Sequence, residues 1–199
     1  MSNGGETSNA GRRRFLTTAT SVVGAAGVVG VAVPFIGSWN PSARAKAAGA
    51  PVKFDASKME PGQMVRVEWR GQPVFVVRRT PGQIDDLQGH DDQLKDPAST
   101  GSKQPDYVDG QNRAIKGELL VLVGLCTHLG CSPKYIKKLD AAAPVDDWKG
   151  GFFCACHGSR FDMAGRVYKG VPASTNLVVP PHSYETDAVI VIGIDEEVA

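Results

Sequence analysis

Two short boxes hold all four cysteines of this 199-residue chain and two of its four histidines. The first, residues 126–131, reads Cys-Thr-His-Leu-Gly-Cys, and the second, residues 154–159, reads Cys-Ala-Cys-His-Gly-Ser. Each box supplies one cysteine–histidine pair, and the four candidate ligands are Cys126, His128, Cys154 and His157. Two thiolates and two imidazoles are the donors of a 2Fe-2S cluster in which the cysteines hold one iron and the histidines the other. The spacing therefore predicts an iron-sulfur centre that takes one ligand pair from each box.

Zinc is the alternative that these donors leave open, because a structural zinc site also takes four cysteine and histidine ligands. The two remaining cysteines, Cys131 and Cys156, favour the cluster. They occupy matching places in the two boxes, where a bond between them would tie the loops together, and a zinc site has no use for such a tie. The sequence thus favours an iron-sulfur centre without excluding zinc.

The wording of the boxes resembles, almost letter for letter, that of the Rieske iron-sulfur subunit of quinol:cytochrome c oxidoreductases, the cytochrome bc-type respiratory complexes, in its bacterial form. The resemblance covers nearly the whole chain after about residue 11. Outside the boxes it is carried by Arg12–Leu16, Pro34–Ile36, Asn40–Ala43, Glu60–Gln63, Asp96–Pro97, Gly151–Phe153, Pro172–Ala173 and Thr175–Leu177. Rieske ferredoxins of aromatic-ring dioxygenases lack the two spare cysteines and resemble this chain less.

The resemblance implies a role for each residue of the site. It assigns the buried iron to Cys126 and Cys154, the exposed iron to His128 and His157, and a disulfide to Cys131 and Cys156. His157 would meet the hydroxyl of the quinol, with His128 as its neighbour. The hydroxyl of Ser159 would donate a hydrogen bond to a bridging sulfide of the cluster.

The implied function is that of a ubiquinol–cytochrome-c reductase subunit. Imidazole ligation raises the potential to roughly −150 to +300 mV, so such a centre can oxidise a quinol. Reduction also raises the basicity of a ligating imidazole, which couples electron uptake to proton uptake. In the family, a cytochrome b subunit takes the other quinol electron and a cytochrome c-type subunit receives this one, within a dimeric membrane complex. An exported Rieske subunit of another periplasmic oxidoreductase is the alternative.

Three departures from the family's pattern concern the surroundings of the cluster. Ala155 stands where the second box usually has proline, and residues 171–174, Val-Pro-Ala-Ser, replace a Gly-Pro-Ala-Pro loop that covers the cluster. These two changes leave the four ligands intact, but they affect how rigid the loops around the cluster are. Phe161 replaces a tyrosine whose phenol, in relatives, donates to the sulfur of the cysteine that corresponds to Cys126.

The N-terminal part of the chain is predicted to export and anchor a single domain. Residues 11–17, Gly-Arg-Arg-Arg-Phe-Leu-Thr, fit the twin-arginine pattern, which addresses folded cargo for export. The uncharged stretch at residues 15–39 would form a helix of about 37 Å, enough for a hydrocarbon core of ~30 Å. The predicted division is a cytoplasmic N-terminus at 1–14, a transmembrane helix at 15–39, a flexible tether at 40–51 and a periplasmic domain at 52–199. Small-x-small patterns within residues 43–47 leave open a cleaved signal instead of an anchor at the bacterial inner membrane.

From about residue 52 onward, the pattern predicts an antiparallel, mainly β domain with cluster-binding loops at one end. Met64–Trp69 alternates, and Pro73–Val77 is rich in β-branched and aromatic residues, so we expect a hairpin that turns at Gly71-Gln72. The unbroken apolar run within residues 118–125 predicts a strand that is buried on both faces. The first box follows this strand directly.

The remaining polar stretches carry no predicted chemistry. We expect loops over residues 80–117 with one short helix near 84–88, and we place His90 on the solvated surface. His182, beside two prolines, is predicted to be structural. After residue 46 the chain has 17 basic and 20 acidic residues without a basic stripe, so nucleic-acid binding is not expected.

Overall fold

The computed structural model describes residues 9–195, which divide after residue 47 into two compact units. In the first unit, helix α1 (Ala10–Gly37) has 28 residues, and the side chain of Asn9 caps it by accepting the N–H of Arg12. At about 1.5 Å per residue, α1 is about 42 Å long. Its most apolar 18-residue window has a mean hydropathy of 2.0, and none of its residues is buried. Its length and composition therefore suffice to cross a membrane, and an export signal has the same features.

Helix α2 (Ala43–Ala48) lies inside the stretch that the sequence predicts to be a tether. Alanine is the best helix former, which accounts for this turn of helix. Six residues are too few for a helix to be stable by itself in water. The mobility of residues 40–51 stays a prediction.

Three antiparallel sheets of three strands each make up the second unit, within the described residues. The strands are β1 (Val52–Asp55), β2 (Met64–Trp69), β3 (Gln72–Arg78), β4 (Leu119–Val123), β5 (Lys134–Ile136), β6 (Gly151–Cys154), β7 (Ser159–Phe161), β8 (His182–Tyr184) and β9 (Val189–Ile192). The sheets have the orders β1-β9-β8, β2-β3-β4 and β5-β6-β7. A short helix α3 (Pro81–Asp85) and a 3-10 turn (Asp91–Gln93) lie between β3 and β4. The predicted mainly β, antiparallel fold is confirmed.

Strands β3 and β4 are buried on both faces because each face belongs to a different hydrophobic core. One core joins the sheet β2-β3-β4 to β9, and it includes Val74, Val76, Val121, Ile190 and Ile192. The other joins it to the loops of the two boxes, and it includes Phe75, Leu120, Leu122, Cys126, Phe152, Cys154 and Phe161. The predicted burial of β4 is confirmed, and the second core holds the first cysteine of each box.

The hairpin of β2 and β3 forms as predicted, but its turn is one residue earlier than expected. Trp69 pairs with Gln72, so the two loop residues are Arg70 and Gly71. Both have positive φ, 52° and 70°, which is the conformation that a two-residue hairpin turn of matching twist requires. Gln72 belongs to β3, where it completes the ladder.

Two predictions for the polar stretch between β3 and β4 were wrong. The short helix begins earlier than expected, and His90 is buried instead of solvated. Helix α3 begins at Pro81 because Thr80 and Gln83 form a reciprocal capping box there. His90 is buried, with 2% of its surface exposed, and its Nε2 lies 3.3 Å from Oδ2 of Asp162. That carboxylate comes from a distant part of the chain, so the neighbours of His90 in sequence gave no sign of it.

His182 is buried with its Nδ1 2.9 Å from the carbonyl oxygen of Pro180, which fits the predicted structural role.

Three of the largest fully buried side chains are arginines: Arg79, Arg113 and Arg166. Arg79 and Arg113 donate to backbone carbonyls of residues 163–165, the turn that follows β7, at 3.2 and 3.1 Å. Arg166 donates from Nε to Oδ2 of Asp162 at 2.7 Å. Burial lowers the pKa of Arg79 and of Arg113 to about 10, so both are charged at neutral pH. The arginines thus fix the turn that follows β7, the strand that begins with the last residue of the second box.

Candidate metal centre

The two boxes form loops with the same backbone turn. The N–H of Gly130 donates to the carbonyl of Cys126 at 2.8 Å, and the N–H of Gly158 donates to the carbonyl of Cys154 at 2.9 Å. Both glycines have positive φ, 82° and 76°, which residues with a side chain rarely adopt. Each loop therefore needs its glycine to fold back on the cysteine that begins it.

The four candidate ligands separate into a buried pair and an outer pair. Cys126 and Cys154 are free thiols with 3% and 2% of their surface exposed, and Cys126 is close enough to Cys154 to contribute to raising the pKa of its thiol. His128 is half-buried and His157 is exposed. Their ring centroids lie 4.7 Å apart with the ring planes at 90°. The structure thus brings the two cysteines together and the two histidines together.

The donors that are present fit a 2Fe-2S cluster. The Nδ1 atom of His128 is buried without a hydrogen-bond partner among the described residues. An unpaired buried nitrogen is costly, and a bond to iron would satisfy it. Burial raises the pKa of the Cys154 thiol, and a positive charge such as that of iron would favour its thiolate form. Nδ1 of His128 is therefore the candidate ligand atom of that residue.

A disulfide joins Cys131 to Cys156, with 6.7 Å between their Cα atoms. It links the end of the first box to the middle of the second, as predicted. The sulfur atoms of Cys131, Cys154 and Cys156 all lie within 4.8 Å of one another. Because two of these sulfurs are bonded to each other and carry no thiolate, this trio is not a metal site by itself. The disulfide instead forms one wall beside the Cys154 thiol.

Replacing both Cys131 and Cys156 with serine should leave a cluster that forms but is easily lost. Opening a loop with a sequence separation of 25 residues should cost about 3 to 4 kcal/mol on the chain-entropy model. Denaturant titration measures the loss of stability, and the decay of the visible absorbance of the cluster measures its retention. Free thiols at both positions in the native exported protein, found by mass spectrometry, would contradict the pairing.

Ser159 is fully buried at the start of β7, and its Oγ accepts the N–H of Ala173 at 3.0 Å. Its hydroxyl hydrogen has no acceptor among the residues that the structure describes. Thr127 of the first box donates from Oγ1 to the carbonyl of Thr175 at 2.7 Å. Residues 170–175, which we call the cover loop, therefore contact both boxes.

The departures from the family's pattern differ in burial. Ala155 is exposed, so the position at which the family usually has proline lies on the surface of the second box. Phe161 is fully buried in the core that holds Cys126 and Cys154. The apolar Leu129, between His128 and Gly130 in the chain, exposes 71% of its surface.

Sequence reasoning missed one residue that acts on the cover loop. The amino group of Lys95 donates to the carbonyls of Val171 and Ala173 at 2.7 and 2.6 Å. These partners lie 76 and 78 residues further along the chain. A lysine in a polar loop carries no signal of such a contact, and only the fold brings the groups together.

Two family models match the chain. Residues 2–42 match the model described as Ubiquitinol-cytochrome C reductase Fe-S subunit TAT signal. Residues 51–181, more than half of the chain, match the model of the Rieske 2Fe-2S domain. The second match contains both boxes and the cover loop.

Curated relatives match over almost their full length. The chain is 56% identical to the ubiquinol-cytochrome c reductase iron-sulfur subunit of Allochromatium vinosum over 184 residues, 92% of this chain and 89% of the relative. It is 46% identical to the subunit of the same name from Blastochloris viridis over 188 residues, 94% of this chain and 96% of the relative. A solved chain titled "Hyperthermophilic respiratory Complex III" matches 88% of this chain and 99% of its own length, with 25% identity and a TM-score of 0.47.

Proposed function

The chain belongs to the Rieske iron-sulfur subunits of ubiquinol-cytochrome c reductase, and from this membership we propose that it accepts one electron from ubiquinol and passes it to a cytochrome c-type subunit. Its cofactor is one 2Fe-2S cluster. The observation that carries the proposal is the pairing of two buried thiols with two touching histidines, one of which is exposed. This arrangement gives a one-electron centre with an imidazole at the surface.

Different residues of the site would bind the cluster and stabilise its reduced state. When bound, the cluster supplies a one-electron acceptor in the range of roughly −150 to +300 mV. Cys126 and Cys154 would hold it from the buried side, and His128 and His157 would hold it from the outer side. Ser159, whose Oγ accepts the N–H of Ala173, would donate its hydroxyl hydrogen to a sulfide, which would stabilise the more negative, reduced state.

His157 is the residue that we propose to meet the quinol. Its exposed imidazole is accessible to a hydroxyl group, and a ligating imidazole keeps one nitrogen free to accept a proton. The exposed Leu129, which follows His128 in the first box, would supply apolar contact area that suits the ring of a quinol. Electron and proton would thus leave the quinol at the same place.

The N-terminal segment supports a membrane-anchored, exported subunit. Its match to an export-signal model and the apolar helix α1 both fit such a subunit. We extend the proposal to a transmembrane helix at 15–39, a mobile tether at 40–51 and a domain at 52–199 on the periplasmic side. The partners would be a cytochrome b subunit and a cytochrome c-type subunit in a dimeric complex, as the family resemblance implies.

Co-purification tests the assignment to this complex. The protein should stay in washed membranes and, after solubilisation, should purify with haem-containing subunits that reduce cytochrome c when given ubiquinol. Dithionite-reduced complex should show the electron paramagnetic resonance (EPR) signal of a 2Fe-2S cluster. Recovery in the soluble periplasmic fraction, bound to another oxidoreductase, would favour the alternative of an exported Rieske subunit of a different enzyme.

Phe161→Tyr should raise the reduction potential of the cluster by some tens of millivolts. The added phenol would donate to the sulfur of Cys126, and one net hydrogen bond of about 1 kcal/mol corresponds to about 40 mV for a one-electron couple. Ser159→Ala should lower the potential by at least as much, because it removes a donor to the cluster. Redox titration followed by EPR measures both. An unchanged or lowered potential in Phe161→Tyr, with the cluster intact, would show that the missing hydroxyl does not tune the potential.

A further inference from the structure

The cover loop depends on side chains for its hydrogen bonds. Residues 170–175 contain no regular secondary structure, although Val171 and Ala173 are buried. Backbone carbonyls of buried residues need donors, and the exposed Lys95 supplies one ammonium group to two of them in part-buried hydrogen bonds of 2.7 and 2.6 Å. Charged donors make stronger hydrogen bonds than neutral ones. Lys95 therefore clamps the loop at both ends of its buried part.

The clamp reaches the site through Ala173. Its carbonyl accepts from Lys95, and its N–H donates to Oγ of Ser159 at 3.0 Å. A hydroxyl that accepts from one side is oriented, because its single hydrogen must point elsewhere. If Ala173 moved, the hydroxyl of Ser159 could turn and lose its direction towards the cluster.

The cover loop lacks a proline that would restrict its backbone, so restraint from another residue matters more. Ser174 stands where the family's loop has its second proline, so the ring that would fix this part of the backbone is missing. A residue without that ring gives the loop more conformations to lose on folding. Two charge-assisted hydrogen bonds from Lys95 can restrict the same residues from outside.

We propose that Lys95 is a positioning residue for the cluster: it holds Val171 and Ala173 so that the Ala173 amide keeps the Ser159 hydroxyl pointing at a bridging sulfide. The inference rests on the proposed function in one respect, which is the contact between Ser159 and the cluster. It goes beyond that function because it assigns a role to a residue outside both boxes. Lys95 acts on the reduction potential through Ser159 and touches neither quinol nor iron.

The first test is the potential of Lys95→Met in the solubilised complex. Losing the oriented hydroxyl should change the equilibrium constant for reduction about fourfold, a fall of about 35 mV at 59 mV per factor of ten. Lys95→Arg, which keeps the charge and the donors, should stay within about twofold of the wild type. Lys169→Met is the matched control, since Lys169 donates from Nζ to the carbonyl of Asp92 and, within the part of the chain that the structure describes, to none of the cover loop carbonyls. An intact cluster with an unchanged potential in Lys95→Met would overturn the proposal.

A double-mutant cycle separates positioning from the direct effect of the lysine charge. In a Ser159→Ala background, Lys95→Met should change the reduction equilibrium by less than about twofold, because the group through which it acts is gone. The same fourfold change in both backgrounds would mean that the charge acts directly, and would overturn the positioning role.

Hydrogen exchange gives a readout that does not depend on the cluster's potential. A peptide that covers residues 170–177 should exchange faster in Lys95→Met and in Lys95→Gln than in the wild type, and in Lys169→Met it should not. Protection equal to the wild type in both Lys95 variants would show that no clamp exists. A wild-type complex without any 2Fe-2S signal would instead contradict the proposed function, so the two failures are distinguishable.

Discussion

Replacing Cys126, His128, Cys154 or His157 with alanine should each abolish the EPR signal of the reduced 2Fe-2S cluster. Each box supplies one thiol and one imidazole, and the other two cysteines are bonded to each other in a disulfide, so among the described residues no spare thiol can replace a lost one. Loss of one bond therefore leaves an iron with an incomplete set of ligands. Activity with ubiquinol should fall to the background of the membrane. A variant at any of the four positions that kept a full rhombic signal would refute the ligand assignment.

Leu129→Ala is the matched control for this series. Leu129 lies between His128 and Gly130 in the same loop and exposes 71% of its surface, so its removal takes away no donor and little packing. The EPR signal should persist in that variant. Metal analysis of the wild type distinguishes a 2Fe-2S cluster from a structural zinc site, because a zinc site would contain no iron and would give no EPR signal.

The local features of the site could be predicted because they depend on residues close together in sequence. The spacing of two and three positions between cysteine and histidine within each box identified the four candidate ligands. The pairing of the two remaining cysteines follows from their matching positions. The same is true of β4, whose five apolar residues in a row signal two buried faces before any fold is known.

The contacts that support the site could not be predicted because they join residues far apart. His90 lies among acids in sequence, yet its near neighbour in space is Asp162, inside the core. Lys95 looks like a solvated lysine, and its partners follow the second box. The turn of the first hairpin shows the same limit on a smaller scale, since only the pairing of Trp69 with Gln72 decided which residues form it. Long-range partners depend on the packing of whole sheets, which a pattern of residue types does not specify.

The buried charges around Asp162 are the clearest case of such packing. Both of its oxygens are used: Oδ1 accepts the backbone N–H groups of residues 164 and 166, and Oδ2 accepts Nε of Arg166 at 2.7 Å. Burial alone would raise the pKa of Asp162, but the nearby His90, the charge of Arg166 and these donors outweigh it and lower the pKa. A carboxylate with a lowered pKa stabilises the fold above its unfolded pKa, and this contribution is lost as the pH falls through the folded value. Asp162 should therefore add to the sensitivity of the domain to acid.

Arg166→Met should destabilise the domain by about 3 to 5 kcal/mol, because it leaves the Asp162 carboxylate buried without its cation. Arg166 is fully buried and also donates to the carbonyl of Leu87 at 2.8 Å, so solvent cannot replace its contacts. Lys53→Met is the matched control: the side chains of Lys53 and Glu185 are 63% and 49% exposed, and such pairs contribute about 0 to 1 kcal/mol. Denaturant titration at pH 7 measures both variants. A loss below 1 kcal/mol in Arg166→Met, equal to that in Lys53→Met, would mean that water reaches the carboxylate and that the buried ion pair does not hold the turn after β7.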